Sequence, residues 1–504
     1  MKNTNVLIII SLLMSVCSFW TIDIIPVNNG KGWDGGVFYE IIKSWSNGDM
    51  GDGIEPYRFM RMGAFAPLIL INTIFANESL IFFLSRLLAI GFAFGSLFLV
   101  FLATHLTKSK TTSDIKSWDV VTVFVCSVLV HAIYTMPALY PILTDHCALF
   151  LSGLAIFTAK NIQSNRSKNS ILFIISVYGI FVMPLASIVP IVFLIFQSDD
   201  SKTAYSYQVI KKLALNLHSY RYIITIGLSL LFSGFFILLF HFNMEYVSDE
   251  SFLSRGWTNL APAIISLKQY SYIGLLFIIV SVCSIISIFF VRAFPHLSVR
   301  GIFWAFSSLL IAFIILFSIP NWSNGMGGPP LLLNLLTQAL HSPLVSIASY
   351  FSYYGPIGVL GLITVFLVAL AKIPLQDGDE PVFLATALLL LPSLIGNETR
   401  QFIALYPLLV YIVLKYTRFS KALSISMLCF SLVLLSIGYP VSHNISKALA
   451  RNADFLDPSW QAYFGRQGPW MSSDSILLWQ SLLLLFLILL ILTTYTKKDK
   501  RSSF

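Results

Sequence analysis

Apolar runs of about 17 to 25 residues recur from one end of this chain to the other, and nothing else constrains its fold as strongly. A helical run of that length matches the hydrocarbon core of a bilayer. Inside lipid every backbone N–H and C=O must be satisfied by the chain itself, so only helices or closed barrels can cross. Alternating ten-residue strands are absent, which argues against an outer-membrane barrel. Composition agrees: 57% of the 504 residues are hydrophobic and 11% are charged, against roughly 25% charged in soluble domains. The expected fold is an all-α polytopic membrane protein, one transmembrane domain over 1–504.

The apolar runs predict spans at 5–25, 80–106, 118–137, 140–159, 171–183, 184–197, 219–241, 271–293, 301–320, 344–371, 381–396, 401–415, 420–438 and 476–496. That is a bundle of about 12–14 transmembrane helices. The pairs at 171–197 and 381–415 are short and broken by Pro184 or by polar residues, so bent or re-entrant elements fit them as well. "MKNTNVLIIISLLMSVCSFW" has a lysine and an apolar core but no small-x-small cleavage site, and is read as an uncleaved first span. Cys17, Cys126, Cys147, Cys283 and Cys429 all fall in apolar runs, without disulfide or metal-ligand spacing, and are expected to be small core residues.

Charge sets the sidedness. With the N-terminus inside, 21 of the Lys and Arg residues fall on the inner side and 11 on the outer, while the acidic residues divide 8 and 15. This is the positive-inside pattern, so the net charge of +9 is a topology signal and implies no nucleic-acid partner. Both termini are then cytoplasmic. The long segments, 26–79, 242–270, 321–343 and 439–475, all lie outside, and the longest inner loop, 198–218, is too short for a soluble domain. The first extracytoplasmic loop is thus 26–79 and the C-terminal one 439–475. Neither a repeat of 20 to 50 residues nor matching halves are visible.

The densest polar cluster, "KGWDGGVFYEIIKSWSNGDMGDGIEPYRFMRMGAFAP", follows the first span directly. Val37, Phe38, Ile41, Ile42 and Trp45 recur at helical spacing, which predicts an amphipathic helix on the outer surface. "MRMGAFAPLILINTIF" reads as a second, more apolar one. Asp49, Asp52 and Glu55 belong to a solvated turn-rich loop between them. Asp34, at a helix start near the membrane, is placed either to cap that helix or to act as a general base.

"WDGGVFYEI…YRFMRMGAFAPLIL" resembles the first outer loop of the GT-C glycosyltransferases that use polyprenyl-phosphate sugars, the bacterial mannosyl- and arabinosyltransferases among them. Asp34, Tyr39, Arg58 or Arg61, and Pro67 match that loop. "YPILTDHCALFLSGLAIF" is similar to the start of a later span in that family, with Asp145 at the acidic position, followed by His146. "GNETRQFIALYPLLVYIV" resembles a late segment, matched by Arg400, Tyr406 and Pro407, with Glu398 two residues before the arginine. The matched motifs cover roughly a fifth of the chain. Two departures stand out: no large soluble C-terminal domain follows, and no second acidic residue adjoins Asp34.

The resemblance implies a GT-C-like fold and a bacterial inner-membrane enzyme. It would transfer a hexose or pentose from a lipid-linked donor to a cell-envelope glycan or lipid acceptor. The topology fits, because nucleotide sugars stay in the cytoplasm whereas a flipped lipid-linked sugar reaches an outward-facing site. Asp34 would be the base that takes the acceptor proton, with inversion at the anomeric carbon. Arg58, Arg61, Arg400 and Arg86 would grip the phosphate, since a guanidinium fork binds two of its oxygens. Tyr39, Asp145, His146 and Glu398 would contact substrate. No cofactor is implied; a divalent cation is compatible but not indicated. The rival readings are an O-antigen or capsule polymerase, which would concentrate arginine in a mid-chain outer loop where 242–270 holds only Arg255, and a lipid-linked-sugar transporter, which would carry charge deep in its spans.

Overall fold

The computed structural model describes residues 29–48, 60–106, 117–130, 136–140, 142–196, 221–242, 268–317, 343–395, 402–442, 457–463 and 471–499, with the isolated positions 13, 17, 24, 25, 58 and 133. Among the described residues there is no strand; a single antiparallel bridge joins Phe196 to Leu297. The helices are α1 (Trp33–Ser46), α2 (Ala66–Phe75), α3 (Glu78–Leu106), α4 (Ser117–Val128), α5 (Asp145–Asn161), α6 (Asn165–Ile180), α7 (Ile188–Ile195) and α8 (Arg221–Phe242). They continue as α9 (Lys268–Ala293), α10 (Val299–Phe317), α11 (Pro343–Ala369), α12 (Glu380–Ile395), α13 (Leu405–Tyr416), α14 (Lys421–Ser442), α15 (Pro458–Tyr463) and α16 (Ser473–Asp499).

Five of these contain a stretch long and apolar enough to cross a membrane: Glu78–Thr104, Leu276–His296, Val345–Ala369, Lys421–Gly438 and Ser473–Thr493. The chain is therefore an all-α, multi-pass membrane protein. Several other apolar helices are shorter than their predicted spans, α4, α7 and α13 among them. Where a span is read at 118–137, α4 ends at Val128 and a separate single turn forms at Met136–Leu139. The following span begins at Asp145 rather than at 140. α7 has eight residues and a preceding 3₁₀ turn at Pro184–Ser187, so it rises about 12 Å, well under the hydrocarbon thickness. The run read as one unbroken span at 344–371 is interrupted halfway: Gly355 takes φ +57° just ahead of Pro356. Only glycine reaches that backbone without strain, and the proline then restarts the helix.

α13 is the axis of the bundle. Every residue from Leu405 to Leu414 is buried, as expected of a helix apolar on all sides. α3 and α5 approach closely at Gly153, where an added Cβ would lie 2.6 Å from Ser96 Oγ. Small residues at such crossings let helices pack where water gives no hydrophobic drive. Cys126, Cys147 and Cys283 are buried as expected, but Cys17 and Cys429 are exposed. Cys429 lies on an outward face of α14 rather than in the core.

Contacts sort the connecting segments into two poles. At one, Ile25 N–H donates to Leu139 O at 3.0 Å and Gly63 N–H to Phe181 O at 2.8 Å. At the other, Ser298 N–H donates to Ile195 O at 2.8 Å, Arg292 to Val368 O at 3.0 Å, and Lys160 pairs with Asp379 at 2.7 Å. These partners share a side in the alternation read from the charges.

Candidate functional site

At the first pole, the start of α1 is fixed by close backbone approach. Gly32, with φ +74°, leads into the helix, and a Cβ there would meet the Tyr140 ring at 3.1 Å. Gly35 packs against the carbonyl of Ile142. The main chain around Asp34 is thus held against Tyr140 and Ile142, the latter three positions before Asp145; the Asp34 side chain lies outside the described features. Phe38, Ile41 and Ile42 form the buried stripe of α1, while Val37, expected on it, is 39% exposed.

Tyr39 is 7% exposed and already engaged by the protein. Its ring stacks on Phe82 at 5.8 Å, and the Lys31 ammonium sits over it at 3.8 Å. Lys31 also pairs with Glu78 at 3.3 Å and Glu40 at 3.8 Å. Burial, and then the Glu78 carboxylate that accepts its hydrogen bond, push the Tyr39 phenol above its ordinary pKa, so it remains a donor at physiological pH.

Arg58 is half-buried and Arg61 is buried at 7% exposure. Arg61 N–H donates to Arg58 O at 3.0 Å, and a 3₁₀ turn at Met62–Phe65 follows. That turn is pinned at Gly63, whose carbonyl accepts from Tyr178 at 2.6 Å. A Cβ on Gly63 would fall 2.7 Å from Phe181 O. Tyr178 also bonds the Cys147 side chain. One phenol therefore ties the Arg61 loop to the first turn of α5, which carries Asp145 and His146, 4% and 1% exposed. A carboxylate in the first turn is favoured by the helix dipole.

Glu398 and Arg400 lie outside the described residues, but the chain just beyond them is anchored. Tyr354 donates to Phe402 O at 2.8 Å and Ser152 to Ala404 O at 2.7 Å. Seven residues separate Asp145 from Ser152, so both occupy one face of α5, about 10 Å apart along the axis. Tyr406 is buried and stacks on Tyr354 at 5.9 Å.

Beside these elements opens a cavity of about 600 Å³ lined by Ile24, Ile25, Asn29, Gly30, Ser79, Phe82, Phe83 and Arg86. Its wall is mostly apolar, with one arginine and two neutral polar side chains. Four peptide units separate Gly30 from Asp34, so their Cα atoms are at most about 15 Å apart.

The opposite pole holds a cluster with no counterpart in the sequence reading. Asp379, 1% exposed, pairs with Lys160 and Lys415, each at 2.7 Å, and accepts from Tyr411 at 3.0 Å and Tyr416 at 2.7 Å. Its members are scattered over more than 250 positions in loops and helix ends where inner-side charge is expected anyway. Among the described residues no group of three His, Cys, Asp or Glu side chains is arranged to hold a metal. No family model, no curated protein and no solved structure matches the chain.

Proposed function

We propose that this chain is a GT-C-like membrane glycosyltransferase, moving a sugar from a polyprenyl phosphate to a cell-envelope glycan or lipid acceptor at the outer face of a bacterial inner membrane. The cavity at Arg86 carries the reading. Its apolar wall suits the first isoprene units of a lipid, and the guanidinium, with Asn29 and Ser79, suits the phosphate. The segments bearing Asp34, Arg61 and Asp145 meet at the same pole, and the charge alternation assigns that pole to the outside.

On this reading Asp34 takes the proton of the acceptor hydroxyl as its oxygen attacks the anomeric carbon. The C–O bond to the phosphate breaks, the lipid phosphate leaves with the electron pair, and the anomeric centre inverts. Arg86 stabilises the charge gathering on the phosphate. Arg58, Arg61 and Arg400 are further phosphate partners, and Tyr39 positions through Glu78 and Lys31.

Asp34→Asn is expected to lower transfer about 10²- to 10⁴-fold while the protein still reaches the membrane. The assay is transfer from defined polyprenyl-phosphate sugars by purified enzyme, read by mass spectrometry; undiminished turnover sinks the base assignment. Arg86→Lys keeps the charge but loses the fork, and should raise the donor KM about tenfold or more. One observation favours a transporter instead: the break at Gly355 lies midway along α11, and half-helices at membrane depth mark transport sites. Acceptor-independent movement of labelled donor across vesicles containing the purified protein would replace the enzyme reading.

A further inference from the structure

The Asp379 cluster is closed. A carboxylate offers about four acceptor positions, and four donors fill them: Lys160 and Tyr411 on Oδ1, Lys415 and Tyr416 on Oδ2. Lys160 also donates to Gly378 O at 2.5 Å, and Tyr416 receives the N–H of Gln376 at 3.1 Å. The three charged side chains are 11%, 1% and 7% exposed, in the order Lys160, Asp379, Lys415. No acceptor position of the carboxylate is left open for a ligand. Buried ion pairs also add little net stability over apolar replacements, because desolvation offsets attraction. What such a group can supply is geometry, since its directed bonds have one satisfied arrangement.

The elements it joins give that geometry a purpose. Lys160 is in the last turn of α5 and Lys415 in the last turn of α13. The middle of α5 meets the start of α13 through Ser152 and Ala404, and beyond that contact lie Asp145 on α5 and the segment after Arg400. We infer that Asp379 is a positioning residue that fixes the axial register of α5 against α13 and thereby holds the two halves of the site at the opposite pole together. That use rests on the glycosyltransferase reading; the register itself does not.

Lys160→Met is the informative variant, because it leaves a neutral Asp379–Lys415 pair with Tyr411 and Tyr416 still bonded. In a background with the five native cysteines changed to alanine, a Ser152→Cys, Ala404→Cys pair reports register through its rate of copper-phenanthroline cross-linking. With the cluster intact the pair cross-links; with Lys160→Met the rate falls at least tenfold in a protein that elutes as folded. An unchanged rate overturns the inference, as does a parent that never cross-links, or a Lys160→Met chain that fails to fold. As a second arm, Lys160→Met/Asp379→Leu/Lys415→Met should keep its unfolding temperature within a few degrees. Its kcat should fall at least tenfold at unchanged donor KM, and full kcat in that variant overturns the positioning role. If no transfer activity exists at all, the cross-linking arm still decides the register.

Discussion

Asp379 shows how far a single carboxylate can be moved by its surroundings. Burial alone would raise its pKa; the Lys160 and Lys415 ammonium groups outweigh burial and lower it from 3.8 to about 2. A depressed folded-state value means that its stabilisation is complete above about pH 4 and is lost as pH falls through about 2. Its size is about 2 kcal/mol. The unfolding temperature in detergent should therefore drop between pH 4 and pH 2 more steeply in the wild type than in Lys160→Met/Asp379→Leu/Lys415→Met. Parallel curves would show that the pairing adds nothing. This residue was not legible in the sequence, because its partners are 219 and 36 positions away and each alone reads as ordinary inner-side charge. Asp145 and His146 open an apolar run, where polar side chains are costly to expose to lipid, and both are buried.

At the scale of elements, close packing replaces the hydrophobic drive that water would supply. Gly153 and Gly91 make a matched pair for testing this. A Cβ at Gly153 would strike Ser96 Oγ and the Ser96 carbonyl, whereas one at Gly91 meets nothing within 4 Å. Gly153→Ala should cost about 1–3 kcal/mol through displacement of α5 from α3. Gly91→Ala should be neutral or stabilising by up to about 1 kcal/mol through helix propensity. Thermal unfolding of the two purified variants checks the contrast; equal midpoints would remove the packing argument. The apolar runs revealed where helices exist but not how they end. Gly355–Pro356 splits a predicted span, because a left-handed residue and a lost donor act on the helix ladder without lowering hydropathy.

At the scale of the whole molecule the connecting segments gather at two poles. Segments assigned to one side meet each other in the folded chain, as Gly63 meets Phe181 and Ile195 meets Ser298. Orientation itself is open to a direct test. A cysteine replacing Ser251 should react with an impermeant maleimide in intact cells, and one replacing Ser113 only after permeabilisation. The reverse result would put the candidate site in the cytoplasm, where nucleotide sugars are at hand, and would remove the case for a lipid-linked donor.

The Lys160–Asp379 pair also bears on how the protein is made. Its members are 219 residues apart, and at about 5–20 residues per second a ribosome needs about 10–40 s to pass from one to the other. Through that interval α5 is already synthesised while Lys160 still lacks its counter-ion, and Ser152 waits longer for Ala404. The N-terminal half therefore cannot reach its final arrangement during its own synthesis. Its contacts with α13 and with Asp379 stay unmade until the last third of the chain arrives.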